Sequence, residues 1–268
     1  MVELSGLPGI SLQSLPNYII LILLSSLRIG AFLIASPFFG SRMVPLPVRI
    51  VFSFGMGIWV LSFVTFPPLD YLLGKNLVPI VLQELIIGLA CGLILSICFS
   101  AVIIAGEKIA ATSGLAFAMQ VDPSSGTQSP VISQILSLFL LIVLFSSNGH
   151  LFIFQLIFES YASLPIGSFT NVNHIIETTL SSSNTMFKMS IIIALPIIAI
   201  LVFVNIGIGF ITKSAPQLNL FSFGFPLTIL ATFFALYFSV DAIQFVFKDL
   251  LRQSIDLVEA VLGGLSDG

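Results

Sequence analysis

Charge is what this sequence has least of. Asp, Glu, Lys and Arg make up 8% of its 268 residues, against about 25% in an ordinary soluble domain. That is too little to cover a water-facing surface of normal size, so a soluble globular chain is excluded. A net charge of −3 leaves no basic footprint for a nucleic-acid partner. Cysteine and histidine are scarce as well, two of each. Cys91 and Cys98 stand seven apart in one apolar run, two turns apart on one helix face. That is too far for a disulfide, and they read as small buried hydrophobes. No Cys/His cluster remains to hold a structural metal. A Walker loop, a nucleophile elbow and an HExxH pair are missing too. The chain therefore reads as no enzyme, and no cofactor is expected. Its first sixteen residues, "MVELSGLPGISLQSLP", lack a basic n-region, so the apolar stretch that follows is expected to stay in the mature protein.

Apolar residues fill the space that charge leaves: 57% of the chain is hydrophobic, with 26 Phe. A spanning helix needs about 20 consecutive apolar residues. Residues 16–39 qualify, although Arg28 sits near their middle. Residues 50–66 are slightly short and end on Pro67-Pro68, and residues 77–105 form a long run containing Gln83 and Glu84. Residues 130–146 and 149–166 are separated only by "SSNGH", which predicts a tight hairpin with Gly149 at its turn. The polar stretch 168–185 follows, the best place for a domain boundary. Residues 189–212 and 220–240 are the last apolar runs, and an amphipathic tail closes the chain from Asp241. Prolines 37, 45, 47, 79, 196 and 226 lie in or beside these segments. In lipid a freed backbone group costs several kcal/mol unless protein satisfies it. Segments this often interrupted therefore imply helices that face other helices, as in a subunit of a larger assembly. The nine Lys and Arg are scattered, so the positive-inside rule fixes no orientation.

Few residues carry chemistry. Glu84 and Asp241 are the carboxylates set deepest in apolar sequence. Such groups mark ion or proton paths or else pair structurally, and sequence leaves both readings open. Arg28 is expected to snorkel or to find a structural partner. Gly88 and Gly92 make a GxxxG step, which lets two helix backbones approach. His150, without a carboxylate or second histidine nearby in sequence, reads as a structural residue.

The loop "SGLAFAMQVDPSSG", residues 113–126, is unlike the rest. It is apolar from Leu115 to Met119, then polar but almost uncharged through Asp122 and Pro123. With its flanks, as "GEKIAATSGLAFAMQVDPSSGTQSPVISQIL" (106–136), and with the stretches "LFSSNGHLFIFQLIFESYASLPIG" (144–167) and "KSAPQLNLFSFGFPL" (213–227), it resembles the flagellar biosynthetic FliR family over nearly the whole chain. The resemblance implies an all-α fold of membrane-embedded helical hairpins with broken helices, one subunit of a conical helical export gate. It implies a FliP-like part over 1–185, carrying the loop 113–126, and a FliQ-like hairpin with its tail over 186–268. It further implies FliP and FliQ as core partners, FlhB and FlhA as neighbours, and passage of unfolded flagellar proteins. The place implied is the flagellar basal body in the bacterial inner membrane, partly above the bilayer plane. In that family the matching loop projects into the lumen. Leu115, Phe117 and Met119 would then be occluding bulk and Asp122-Pro123 the turn, with irregular backbone tolerated where protein or a water-filled cavity surrounds it. Two alternatives stay open. One is the virulence-secretion counterpart of the same gate. The other is an ion-coupled transporter with broken helices around a midplane site, for which the sequence shows neither inverted halves nor enough charge.

Overall fold

A computed structural model of the chain describes residues 15–41, 44–64, 66–68, 71–72, 74–115, 130–168, 171–215 and 223–263. Among the described residues all regular structure is helical. The elements are α1 (Leu15–Ala35), α2 (Leu46–Leu61), α3 (Leu77–Thr112), α4 (Val131–Ser146), α5 (Gly149–Ser163), α6 (Val172–Ser214), α7 (Phe225–Phe238) and α8 (Val240–Gly263).

Most of the prolines begin helices instead of breaking them. Pro47 lies in the first turn of α2 and Pro226 in that of α7, where the missing N–H had no partner to lose. Pro196 is inside α6, which continues through it. Among the described residues three helices are long and apolar enough to cross a membrane, Pro16–Ala35, Leu77–Thr112 and Val172–Ser214, and two bent pairs, Val131–Ser146 with Gly149–Ser163 and Phe225–Phe238 with Val240–Gly263, pass the same test together. At about 1.5 Å per residue, the 36 residues of α3 and 43 of α6 overrun a hydrocarbon core of about 30 Å. Either helix, crossing such a core upright, would have a portion outside it.

Two features of the sequence reading are corrected, and one is given its structure. Within the polar stretch 168–185, residues 172–185 are the opening turns of α6. Thr179 Oγ1 donates there to the Ile175 carbonyl one turn back at 2.7 Å. Residues 131–163 are not a tight hairpin, since α4 and α5 meet at a bend of 66° and the chain does not double back. The left-handed residue at that bend is Asn148, with φ 55°, a conformation asparagine tolerates; Gly149 opens α5. The last apolar run likewise ends in a bend, of 64°, between α7 and α8.

The chain divides into two compact units. The first comprises residues 1–96, 153–179 and 257–268, and the second 97–152 and 180–256. In the first, α1 lies against α2 through small residues. Ser25 Oγ donates to the Gly57 carbonyl at 3.1 Å, and a Cβ on Gly57 would stand 3.0 Å from that Oγ. Phe154 collects the rings of Phe32, Phe39 and Phe52, with centroids 6.1, 5.3 and 5.7 Å away. In the second unit Gly106 admits α4, since a Cβ there would meet Ser133 Oγ at 2.6 Å. Phe139 and Phe247 pack with centroids 5.4 Å apart. Tail helix α8 is amphipathic: Ile243, Phe247, Leu250 and Leu251 are buried while Lys248 and Arg252 are exposed. Elsewhere the outer faces are apolar. Phe203 and Phe210 on α6 and Tyr237 and Phe238 on α7 are each more than two-thirds exposed. Faces of this kind mark contact with lipid or protein.

Candidate functional site

Two polar places stand out in an otherwise apolar molecule: a buried ion pair in the first unit and the end of α3 in the second. The ion pair comes from the middle of α1 and the second turn of α3. Arg28 and Glu84 are 1% and 0% exposed. Their fork is bidentate, with Arg28 Nε donating to Glu84 Oε2 at 2.8 Å and Nη2 to Oε1 at 2.9 Å. Nη1 donates to Ser160 Oγ at 2.8 Å, and Nη2 also to the Leu164 carbonyl at 2.9 Å. Four of the five guanidinium hydrogens thus have acceptors. The ring of Tyr161 covers the guanidinium, 4.2 Å from Cζ to centroid, and its hydroxyl donates to the Ser25 carbonyl at 2.6 Å. The arrangement neutralises Glu84 and ties α1, α3 and α5 together. It is sealed by protein on every side the geometry defines, which suits a structural strut better than a relay.

The helix approach that admits this pair is made by glycines one turn apart. A Cβ on Gly88 would strike the Arg28 carbonyl oxygen and come 2.8 Å from Ala31 Cβ. One on Gly92 would stand 2.6 Å from Ala35 Cβ and 2.9 Å from the Phe32 carbonyl oxygen. One turn further, Ser96 Oγ donates to the Ala35 carbonyl at 2.6 Å. Small side chains at 88, 92 and 96 therefore let α3 run against α1 closely enough for the Arg28 and Glu84 side chains to meet.

Of the loop residues singled out from sequence, Leu115 is half-buried just past the end of α3. Phe117, Met119, Asp122 and Pro123 lie outside the described residues. Asp241 is exposed in the first turn of α8, unlike the buried Glu84. Cys91 and Cys98 are buried free thiols. His150 stacks on Phe145 at 4.7 Å between centroids. Among the described residues no three His, Cys, Asp or Glu converge on a metal position. Ser160, Tyr161 and Leu164 were invisible to sequence reasoning. They reach Arg28 across more than 130 residues, and an apolar helix with a serine gives no local sign of it.

Comparison with known proteins places these features in a lineage. Residues 19–254 match the family described as "Bacterial export proteins, family 1". The flagellar biosynthetic protein FliR of Aquifex aeolicus is 33% identical over 213 residues, 80% of this chain and 82% of that one. FliR of Escherichia coli K12 is 33% identical over 212 residues, 76% and 77% of the two chains. FliR of Bacillus subtilis 168 is 30% identical over 243 residues, 90% and 93%. Likeness at that level over most of the chain means that it belongs to the FliR family of bacterial export proteins.

Proposed function

We propose that this chain is a helical subunit of the flagellar protein export apparatus, lining part of the channel through which unfolded flagellar proteins leave the cell, and that it catalyses no reaction. Its place is the bacterial inner membrane at the flagellar basal body. FliP and FliQ are its core partners, and FlhB and FlhA its neighbours in the apparatus. One observation carries the reading. The described chain has long apolar helices with exposed aromatic faces, yet its buried charges, Arg28 and Glu84, cancel each other. Such a molecule offers surfaces for assembly and, among the described residues, no ion site, which separates it from a coupled transporter.

Within that reading the loop 113–126 is the channel plug, with Leu115, Phe117 and Met119 as occluding bulk and Asp122-Pro123 as its turn. Methionine and phenylalanine supply adaptable apolar volume, and hydrophobic constrictions hold back ions by dewetting. Residues 1–185 are the FliP-like part and 186–268 the FliQ-like part. Helix α6 crosses position 185 without interruption, so the two parts would share one continuous helix. Purification of the chain in mild detergent tests the assignment. Recovery with two other small apolar proteins, together with loss of flagella on deletion, supports it. A solitary monomer or symmetric dimer overturns it.

A further inference from the structure

Helix α7 is amphipathic the wrong way round for water. Its inward side is small and partly polar: Thr228, Thr232 and Ala235 are 4%, 0% and 4% exposed. Its outward side carries the bulk. Leu230, Phe233, Phe234, Tyr237 and Phe238 are each 48% exposed or more, Tyr237 reaching 73% and Phe238 79%. The inward hydroxyls need nothing from outside, since Thr232 Oγ1 donates to the Thr228 carbonyl at 2.7 Å and Thr228 Oγ1 to the Ser113 carbonyl at 2.9 Å. No Asp, Glu, Lys or Arg occurs anywhere in the helix. In water such a composition folds the other way, with aromatics inside and threonines outside.

The pattern reverses at Ser239. Beyond a bend of 64°, α8 buries Ile243, Phe247, Leu250 and Leu251 and turns charge outward, with Asp241, Lys248, Arg252 and Asp256 all exposed. The reversal costs no backbone hydrogen bond. The Ser239 N–H donates to the Ala235 and Leu236 carbonyls at 3.1 Å, and its carbonyl accepts the Ile243 N–H at 2.8 Å. Within two residues the outside of the helix pair thus passes from a medium that takes aromatic surface to one that takes charge. The most exposed rings flank the crossing: Tyr237 and Phe238 just before it, and Phe245, 74% exposed, soon after. Aromatic side chains gather at that depth of a bilayer. All these residues belong to the second unit.

An apolar face is covered by an apolar helix of another subunit or by lipid. Helices that pack together in membranes meet through small residues, and α7 turns its small residues inward. What it presents outward is bulky, and it ends in rings followed by charge of both signs. Around Phe245 stand Asp241, Lys248, Arg252 and Asp249, the last accepting Gln253 Nε2 at 3.0 Å. Two acids and two bases fit a zwitterionic headgroup, which carries phosphate and ammonium together. We propose that the outer face of α7 contacts the acyl chains of bilayer phospholipid and that the bend at Ser239 lies at the membrane surface, with Tyr237, Phe238 and Phe245 among the headgroups. The inference rests on the membrane location proposed above. Nine residues separate Leu230 from Ser239, about 14 Å of helix. An upright α7 therefore holds Leu230 near the middle of a hydrocarbon core of about 30 Å.

The test uses the full complex in cell membranes, with the photocrosslinker p-benzoylphenylalanine replacing Leu230, Phe234 or Phe245 in turn. Irradiation is expected to give phospholipid adducts at all three, identified by mass. Adducts to another subunit at Leu230 and Phe234, in place of lipid, overturn the proposal and give the face to a protein partner. Depth supplies a second measurement. Leu230→Lys is expected to lower recovered complex on the order of 100-fold, the cost of a charge at the centre of a membrane helix. Tyr237→Lys, close enough to the surface to snorkel, lowers it by about fivefold at most. Equal losses at the two positions, or none at Leu230, overturn the proposal. Copurification with two other small apolar proteins tests the subunit assignment separately. A complex recovered whole but without lipid adducts overturns this inference alone. Lipid adducts on a chain that copurifies with nothing sink the assignment and uphold the inference.

Discussion

Replacing Glu84 by glutamine changes one atom's chemistry and hardly any volume, so it isolates what the buried pair contributes. The carboxylate accepts two guanidinium hydrogens, through Oε1 and Oε2. An amide keeps one acceptor and turns an N–H₂ toward Arg28, which has only donors to offer. Arg28, 1% exposed, is left as an unneutralised charge with one good and one repulsive contact. Removing one partner of a buried pair typically costs about 3–5 kcal/mol, a few hundredfold or more in a folding or assembly equilibrium. Removing both is a different matter. With Arg28→Met and Glu84→Met together, no charge remains to desolvate, and Ser160 Oγ still donates to the Ile157 carbonyl at 2.6 Å. What is lost is the donor to the Leu164 carbonyl and the cation over the Tyr161 ring, about 1 kcal/mol each. Tyr161 keeps its bond to Ser25.

The double variant is therefore expected to be more stable than Glu84→Gln, although it carries two substitutions in place of one. Yield of detergent-purified complex and its thermal midpoint both measure this. The single tryptophan, Trp59, packed 4.6 Å from Phe158 of the same unit, gives a local fluorescence signal. A Glu84→Gln complex as stable as the parent, or a double variant worse than the single, would refute the strut. Normal assembly with an abolished response to the proton gradient would instead restore Glu84 to a relay.

Three further outcomes follow from the same geometry. Gly88→Leu or Gly92→Leu places a branched side chain where even a Cβ clashes with α1. Overpacking of this kind costs at least about 1–3 kcal/mol, so complex recovery falls, and normal recovery and motility would show that this face is not tightly packed. Asp241→Asn, at an exposed position, is expected within about 0.5 kcal/mol of the parent with export unaffected; loss of export would give Asp241 a role at a partner surface. Deleting most of the loop leaves the long helices whole, so the gate assembles but conducts ions when closed, while Phe117→Ala with Met119→Ala leaks less. A deletion variant as tight as the parent leaves the loop only a connector.

The helices were legible because apolar runs in a charge-poor chain have one stable solution, and their lengths bound where they lie. Two details were not. The polar stretch 172–185 is rich in Asn, Ser and Thr, residues that sequence reasoning assigns to loops because they compete for backbone groups. Thr179 shows how that competition is settled, its hydroxyl bonding back along α6. The bend after α4 was misplaced by one residue, since glycine is the usual left-handed residue and asparagine took the position instead.

The polar sites divide along a similar line, by whether both partners carry a local signal. Gly88 and Gly92 are visible because a four-residue spacing of small residues means close approach in any helix pair. Glu84 and Arg28 are visible one at a time, because a charge in an apolar run is costly enough to need a reason. That they answer each other across 56 residues follows only from the packing of α1 on α3. The glycines and the ion pair are thus one feature: without Cβ atoms at 88 and 92 the helices approach, and at that distance a glutamate one turn before Gly88 meets an arginine in the middle of α1. The end of α3, where Asn205 Nδ2 donates to the Thr112 carbonyl and Thr228 Oγ1 to the Ser113 carbonyl before the chain turns at Gly114 with φ 80°, gave no such warning. Asn205 and Thr228 are ordinary residues whose meaning comes entirely from which carbonyls they reach, and those carbonyls become available only where α3 stops. A helix end is written in its own sequence, as Gly114 shows; what holds it is written elsewhere in the chain.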